Sequence, residues 1–465
     1  MSNETAVKQD GFKSKWGFIM ACIGSAVGMA NIWRFPYMVA SYGGLTFLLP
    51  YFIFVVLIGC SGVMEEFSLG RWGGGPMAAF GKATEERTGS SAIGKALGAI
   101  PVIGSMGIAI GYSVVMGWIF KYTFMSLTGE LYAMGQDMNV IGGTFGAAAP
   151  ETQTLGEGVS MMLQNGIFGV GNGIWIIVAI AVSAIIMALG VAGGIEKSCK
   201  VMIPALFGLF LILAVYIATL PGAGDGYKYI FTLDPMGLLN IEVWIFAFGQ
   251  AFFSLSVAGN GSVIYGSYLG KDVEISSSAR NVAVFDTLAA LVAMFVIIPA
   301  MATTGAKLDA AGPGLMFVYL PNVFNGMGGM GRFVGMFFFI AVLFAGVSSI
   351  INLYETPAAF LQEQFKLKRL PAVLTVHAVG LVVALLIQPW TSQWMDMISI
   401  YICPFGAMLA GIMFFWVLKK ETALDAVNLG SGKKVGGWFH PFGKWVYVPL
   451  CLIALVAGAY YGGIG

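Results

Sequence analysis

The sequence predicts an all-α integral membrane protein with about eleven transmembrane helices. Hydrophobic residues make up 58% of the 465-residue chain and charged residues only 10%, whereas soluble domains carry roughly 25% charged residues. Apolar stretches recur along the chain, and each is close to the roughly 20 residues that a helix needs to cross the hydrocarbon core. A chain built of soluble domains is therefore excluded, and the lipid bilayer is the expected environment.

We number the apolar stretches as spans 1 to 11 in chain order and assign them to a single transmembrane domain, residues 1–465. Span 1 follows Lys13 and Lys15 without a cleavage site, so we expect it to stay in the membrane rather than to act as a signal peptide. Spans 3 and 8 are long enough to be tilted or to project into water. The predicted positions are about 16–38, 44–70, 98–126, 171–190, 200–220, 241–269, 282–304, 332–362, 371–389, 395–418 and 444–463.

Lysine and arginine are distributed unevenly between the two sides that these spans define. The side with the N-terminus holds most of them, and the loop at about 128–168 on the other side contains none. Because basic loops stay in the cytoplasm, the N-terminus is predicted to be cytoplasmic. An odd number of spans then puts the C-terminus on the extracellular or periplasmic side of the cell (inner) membrane.

Charge and residue spacing argue against several other function classes. The formal net charge is only +1, so a nucleic-acid partner is not expected. The two histidines, His377 and His440, are far apart and lack the spacing of metal ligands, which argues against an intramembrane enzyme. The five cysteines lie in apolar stretches, where buried thiols explain them better than disulfides.

Spans 1 and 6 contain polar, glycine-rich interruptions. Residues 24–36 read GSAVGMANIWRFP, and residues 254–262 read SLSVAGNGS. Such backbone is tolerated in a membrane only where protein or a water-filled cavity satisfies its polar groups. The alternative is that these glycines only allow helices to pack closely, but this does not account for Asn31 and Asn260.

The two interrupted spans are five apart, as expected if spans 1–5 and 6–10 form two inverted structural repeats. The repeats would cover about 12–220 and about 239–420, with an extra helix at about 443–463. Interrupted segments in matching positions of two halves are typical of a binding site at the membrane midplane. We therefore predict that the two breaks form one site.

Six motifs occur in order over nearly the whole chain. They are GSAVGMANIWRFPY in span 1, GRWGG after span 2, GYSVVMGW in span 3, GQAFFSLS in span 6, DTLAAL in span 7 and FAGVSSI in span 8. With these motifs the sequence resembles the neurotransmitter:sodium symporter family, in particular its bacterial amino-acid transporters. The resemblance implies the leucine-transporter fold. We expect eleven spans where the family commonly has twelve, and Ala30 precedes Asn31 where a glycine is common.

The resemblance implies two bound sodium ions. Sodium needs about five or six oxygen ligands, as in the oxygen cages of calcium. One site would use Ala26, Asn31, Ser254 and Asp286, and the other Gly24, Val27, Ala345, Ser348 and Ser349. Alternatively, the two serines could bond only to the preceding turn of their own helix, and Asp286 could pair with another intramembrane charge.

The resemblance also bears on chloride. Family members with a neutral residue at the position of Asp286 use chloride to balance the charge of sodium. Here the carboxylate can supply that charge, and Ala290 replaces a serine that resembles a chloride ligand. We therefore expect no chloride requirement.

A substrate with its own carboxylate is implied, because Gly28 occupies the place of an aspartate that pairs with an amine in monoamine transporters. The carboxylate would bind at the span-1 break and Tyr112, although membrane tyrosines are often interface anchors. The small Gly259 suggests room for a large side chain, whereas Asn260 could instead add a polar contact. The predicted substrate-binding residues are Ser25, Ala26, Gly28, Met29, Ala30, Ile108, Tyr112, Phe253, Ser254, Ser256, Gly259, Ser349 and Leu353.

Two ion gates are implied on opposite sides of this site. Arg34 with Asp396 would form the extracellular gate, and Lys8 with Glu363, supported by Tyr268, the cytoplasmic gate. Three further intramembrane acids, for which packing or proton-related roles are both open, are Glu65, Glu66 and Glu355.

The resemblance thus implies a sodium-coupled symporter that moves a neutral, hydrophobic or aromatic amino acid by alternating access. Three alternatives stay open. The chain could transport a small amino acid or another zwitterion or carboxylate, it could be a solute sensor that binds without transporting, or it could be a channel.

Overall fold

A computed structural model describes residues 11–166, 168, 170–305 and 312–464. Within those ranges the chain is helical and contains no β-strand. The pair Lys15–Ala26 and Ala30–Tyr42 is apolar enough to form one membrane span, with a bend of 56° between its halves. Seven further described helices are long and apolar enough to cross a membrane, namely Gly44–Gly73, Ala92–Thr128, Val191–Ala218, Ile275–Ala302, Gly328–Phe365, Arg369–Val417 and Phe439–Tyr461.

Two shorter apolar helices, Gly173–Ala188 and Ile241–Ser254, lie at the positions of predicted spans 4 and 6. Predicted spans 9 and 10 form one helical run, Arg369–Val417, in which a 3-10 turn at Gln388–Trp390 follows the helix Arg369–Ile387. The helical membrane architecture is confirmed. The count of eleven spans and the boundaries of two repeats remain predictions.

Short helices cover most of the connections between the spans. One of them, Leu155–Asn165, begins with a reciprocal cap, because the Thr154 hydroxyl accepts the Glu157 amide and the Glu157 carboxylate accepts the Thr154 amide. This arrangement satisfies two donors that a helix start would leave free. The other connecting helices in the described ranges are Pro76–Thr88, Glu130–Ala133, Met138–Ala148, Ala223–Ile230, Gly237–Leu239, Gly312–Gly314, Leu315–Tyr319, Leu320–Asn325 and Lys420–Asn428.

Spans 3 and 8 form the buried centre of the molecule. In the most apolar window of each, 72% of the residues are buried, against 33% for spans 5 and 11. The two helices approach closely at Gly346, where a side chain would meet the sulfur of Met116 at 2.3 Å. Both are also long, with 37 and 38 residues, as their sequences predicted.

Span 1 is broken where the sequence predicted. The helix Lys15–Ala26 ends because Val27 adopts an extended conformation (φ −70°, ψ 101°). The chain becomes helical again in a π-helical turn, Ala30–Arg34. Backbone groups around residues 27–29 are thereby released from the regular helical pattern and become available to other partners.

Span 6 is broken as well. The helix Ile241–Ser254 ends, and the shorter helix Gly261–Ser267 begins after residues 255–260. The side-chain oxygen of Asn260 accepts the amide N–H of Gly261, so Asn260 caps the second helix. Asn260 therefore has a structural role at this break.

The N-terminal end of span 1 is attached to span 5 through Glu196. The Glu196 carboxylate accepts the Lys13 amide N–H at 2.7 Å and the Ser14 hydroxyl at 2.9 Å. The Lys200 ammonium, one turn along span 5, lies 2.5 Å from the same carboxylate. A side chain at Gly17 would lie 2.2 Å from a Glu196 oxygen, so only glycine permits this contact.

Candidate functional site

The two helix breaks lie side by side. The Ser256 hydroxyl in the span-6 break donates to the Ser25 carbonyl in span 1 over 3.0 Å. Ser256 has a positive φ of 53°, which is uncommon for a residue other than glycine and marks backbone held by its surroundings. The predicted junction of the two breaks is therefore present.

Three polar side chains from spans 1, 6 and 7 meet beside the span-1 break, and we name them the aspartate cluster: Asn31, Ser254 and Asp286. The Asp286 carboxylate accepts the Asn31 amide at 2.8 Å and the Ser254 hydroxyl at 2.7 Å. The Asn31 side-chain oxygen accepts the amide N–H of Gly28 at 3.0 Å. All three side chains are fully buried, so the cluster joins the break directly to span 7.

Asp286 forms no ion pair with a basic side chain in the part of the chain that the structure describes. A buried carboxylate without a cationic partner is costly in a membrane. The alternative that Asp286 belongs to an intramembrane ion pair is therefore not supported. Its oxygens instead accept the Ser254 hydroxyl and the Asn31 side-chain N–H, and carboxylate and hydroxyl oxygens can also bind a cation.

A second group of oxygens lies between spans 1 and 8, and we name it the serine cluster: Gly24, Val27 and Ser349. The Ser349 hydroxyl lies 3.3 Å from the Gly24 carbonyl oxygen and 3.1 Å from the Val27 carbonyl oxygen. The neighbouring Ser348 hydroxyl donates to Ala345 in its own helix at 2.9 Å. Back-bonding thus describes Ser348, while Ser349 reaches across to span 1.

Tyr112 and Gly28 lie together next to the serine cluster. A Cβ atom at Gly28 would be 3.5 Å from the Tyr112 hydroxyl and 3.1 Å from the Ser349 hydroxyl. Tyr112 is buried in the middle of span 3, so it is not an interface anchor. The absent side chain at Gly28 leaves these two hydroxyl groups close to the freed backbone of span 1.

The residues predicted for the far end of a substrate, Ile108, Phe253 and Leu353, are partly buried. The Leu353 carbonyl accepts the Ser105 hydroxyl of span 3 at 2.8 Å. This hydrogen bond joins span 8 to span 3 at Leu353. Of the other predicted substrate residues, Ala26 ends the first half of span 1, and Met29 and Ala30 lie at the end of the break.

Gly259 does not open space for a large side chain, and this part of the prediction is wrong. Its amide N–H donates to the Glu66 carboxylate at 2.6 Å, and its φ is +69°. A Cβ atom there would lie 2.5 Å from the Gly406 carbonyl oxygen and 3.3 Å from the Ala410 side chain. The missing side chain is therefore required by the close approach of span 10.

The predicted extracellular gate is not closed in this structure. Within the described residues, Arg34 forms no ion pair with Asp396. The Nε atom of Arg34 is buried without a hydrogen-bond partner among those residues. The role of the two side chains as a gate remains a prediction.

The residues predicted for the cytoplasmic gate contact partners other than the predicted ones. Lys8 lies outside the described residues, and the Glu363 carboxylate accepts the amide N–H of Gly75 at 2.9 Å. Tyr268 donates to Glu355 at 2.6 Å rather than supporting Glu363. Glu355 also receives two hydrogen bonds, at 2.5 and 2.7 Å, from the Arg369 guanidinium.

Comparison with known proteins identifies the family. A model described as the sodium:neurotransmitter symporter family matches residues 9–141 and 147–461. The chain belongs to the sodium:neurotransmitter symporter family. The resemblance predicted from the six motifs is thereby confirmed, and with it a sodium-dependent transporter that crosses the membrane several times.

Relatives in the sodium:neurotransmitter symporter family align over most of their length. A sodium-dependent transporter of Methanocaldococcus jannaschii is 31% identical, with 97% of this chain and 90% of the relative covered. The sodium-dependent transporter YhdH of Bacillus subtilis is 31% identical, with 95% of each covered. The sodium-dependent nutrient amino acid transporter 1 of Drosophila mojavensis is 26% identical over 94% of this chain and 75% of the relative.

A solved structure supports the fold of this symporter-family chain. The crystal structure of MhsT in complex with L-phenylalanine matches with a TM-score of 0.78 and 29% identity. The match covers 97% of this chain and 99% of the MhsT chain. The leucine-transporter fold predicted from the two broken spans is consistent with this similarity.

Sequence reasoning missed several contacts of this symporter-family chain because they join distant residues. The pair of Arg369 and Glu355 was not predicted. A buried acid needs a partner, and Arg369 is a basic residue 14 positions after Glu355. Glu66 was not assigned to the span-6 break. Neither carboxyl oxygen of the adjacent Glu65 has a hydrogen-bond partner among the described residues, and its role stays open.

Proposed function

We propose that the chain is a symporter that couples the inward movement of sodium to the uptake of a neutral amino acid by alternating access. The observation that carries this proposal is the convergence of two buried oxygen clusters on the break of span 1. One cluster contains a carboxylate, and the other consists of hydroxyl and carbonyl oxygens. Both are chemically suited to sodium, a hard cation that prefers oxygen ligands.

Two sodium ions would occupy these clusters. In the aspartate cluster, the ion would be bound by the side chains of Asn31, Ser254 and Asp286 and by the Ala26 carbonyl. In the serine cluster, it would be bound by the Gly24 and Val27 carbonyls and the Ser349 hydroxyl. The neighbouring Ala345 carbonyl and Ser348 hydroxyl, which are hydrogen-bonded to each other in this structure, would complete the site. Since both clusters include span 1, sodium binding would favour one position of that helix over others.

The substrate would be an amino acid bound between the two breaks. Its carboxylate would meet the backbone amides of Met29 and Ala30 at the start of the helical turn Ala30–Arg34, where the helix dipole favours negative charge. The nearby Tyr112 hydroxyl would donate to the same carboxylate. Its amine would face carbonyls of residues 253–256 at the C-terminal end of a helix.

The side chain of the substrate is proposed to be hydrophobic or aromatic. The similarity to MhsT, whose crystal structure contains L-phenylalanine, supports this choice, as do the half-buried Ile108, Phe253 and Leu353. Because Gly259 does not open space, a small amino acid is the second candidate. Competition between phenylalanine and alanine for the same site would separate the two.

Chloride independence is part of the proposal. The fully buried Asp286 carboxylate would balance the charge of the first sodium ion, and the buried Ala290 has no hydroxyl to bind an anion. We further propose that Arg34 and Asp396 approach each other when the extracellular path closes. The hydrogen-bonded cluster of Tyr268, Glu355 and Arg369 would hold the cytoplasmic side closed, with the N-terminus on that side.

Uptake into proteoliposomes tests the proposal. The purified protein should accumulate radiolabelled phenylalanine when sodium is outside, and replacing sodium by potassium should abolish accumulation. Empty liposomes and the Asn31→Ala variant are the controls. Sodium-dependent binding without any accumulation would favour a sensor, and uptake that is independent of sodium would overturn the proposal.

A further inference from the structure

A large groove lies between spans 2 and 7, away from both oxygen clusters. Its volume is about 770 Å³, and its walls come from span 2, from residues 274–288 and from the loop 433–438. Most wall residues within the membrane-spanning helices are apolar.

The apolar part of the groove faces the lipid. Val56 of span 2 is 66% exposed, and Val284 and Leu288 of span 7 are 49% and 43% exposed. Val284 and Leu288 are four residues apart in one helix, so they lie on the same face. Exposed apolar surface of this kind, on helices that cross the bilayer, is suited to contact with acyl chains.

One end of the groove is positively charged. Arg280 lies one turn before Val284 on the same face of span 7, and the exposed Lys433 and Lys434 approach from the loop before span 11. None of these three basic residues forms an ion pair within the described ranges. The charged end is the one that the distribution of basic residues predicts to face the cytoplasm.

A further cation reinforces this end. The Lys15 ammonium at the start of span 1 donates to the Ser277 hydroxyl, which belongs to the groove wall, over 2.9 Å. The acidic residue among the described wall residues is Glu274, whose carboxylate accepts the Ser276 hydroxyl at 3.0 Å. The end of the groove therefore carries an excess of positive charge.

We propose that the groove binds an anionic phospholipid of the cytoplasmic leaflet. The phosphate would lie among Arg280, Lys433 and Lys434, and an acyl chain would follow Val284 and Leu288 into the hydrocarbon core. Basic pockets between transmembrane helices on the cytoplasmic side bind anionic headgroups by charge. This inference goes beyond the proposed transport activity and does not depend on the substrate or the coupling ions.

Lipid titration of the detergent-purified full chain tests the proposal, with bound lipid counted by native mass spectrometry. Phosphatidylglycerol should bind with a stoichiometry of one at least tenfold more tightly than phosphatidylcholine. The double variant Lys433→Gln/Lys434→Gln should lose about tenfold or more of this affinity. The matched control, Lys419→Gln/Lys420→Gln, removes two exposed lysines outside the groove lining and should keep it.

A second variant separates the groove from general attraction to positive charge. Val284→Trp keeps every charge and fills the apolar part, so it should also weaken phosphatidylglycerol binding by about tenfold. Equal loss in both double-lysine variants, or equal binding of the two lipids, would overturn the proposal. Full competition by inorganic phosphate at matched ionic strength would also overturn it, because the site would then recognise free phosphate.

Discussion

Replacing Ser349 by alanine tests the serine cluster most directly. The Ser349 hydroxyl lies 3.3 and 3.1 Å from two span-1 carbonyl oxygens. The change removes one of about five or six oxygen ligands of the proposed sodium ion.

The expected loss of sodium affinity follows from this geometry. A hydrogen bond from a polar group to a charged partner contributes about 1.5–3 kcal/mol, which we take as the scale for one sodium ligand, and about 1.4 kcal/mol corresponds to a tenfold change in affinity. Ser349→Ala should therefore lower the affinity for sodium by about tenfold or more. Sodium titration of radiolabelled phenylalanine binding to purified protein measures this change.

The matched control is Ser126→Ala. Ser126 is also a buried serine in a long span, but its hydroxyl donates to Thr123 in its own helix at 2.8 Å. This variant should keep the sodium affinity of the wild type. If Ser349→Ala keeps it too while folding normally, the serine cluster is not a sodium site.

Three further predictions concern other parts of the structure. Replacing chloride by gluconate should leave uptake unchanged, whereas Asp286→Asn should abolish transport or make it chloride-dependent; a several-fold loss in the wild type would contradict this reasoning. Gly259→Ala should lower stability by about 1–3 kcal/mol, and this would be measured as a lower melting temperature. The control Gly208→Ala, whose added Cβ would meet nothing within 4 Å, should keep the melting temperature of the wild type. Equal melting temperatures of the two variants would refute the predicted clash with span 10. Arg369→Gln should cost about 3–5 kcal/mol, because it leaves the fully buried Glu355 without its ion pair, and an unchanged melting temperature would count against that role.

The broken helices could be predicted from the sequence because their signal is local. Glycine and asparagine in the middle of an apolar stretch conflict with a continuous membrane helix, and this conflict marks residues 27–29 and 255–260. Asp286 could be predicted for a similar reason, since a carboxylate at mid-membrane is costly and requires a function.

Contacts that depend on the direction of a side chain could not be predicted in the same way. The absence of a side chain at Gly259 suggested free space. Its positive φ, however, would direct a side chain against the backbone of span 10. The sequence likewise does not show that Tyr268 turns towards Glu355. These outcomes depend on how helices distant in the chain pack against each other.

The contacts of Glu196 constrain how the first half of span 1, Lys15–Ala26, could move. Its N-terminal end is held to span 5 at Lys13 and Ser14, while its other end supplies the Gly24 and Val27 carbonyls of the serine cluster. The segment is therefore fixed at one end by Glu196 and would be fixed at the other end by the proposed ion. Release of the ion would allow the end at Gly24 and Val27 to rotate while Glu196 holds the other end. Breaking the Glu196 contacts would instead allow the whole segment to shift, so that its carbonyls would no longer lie opposite Ser349.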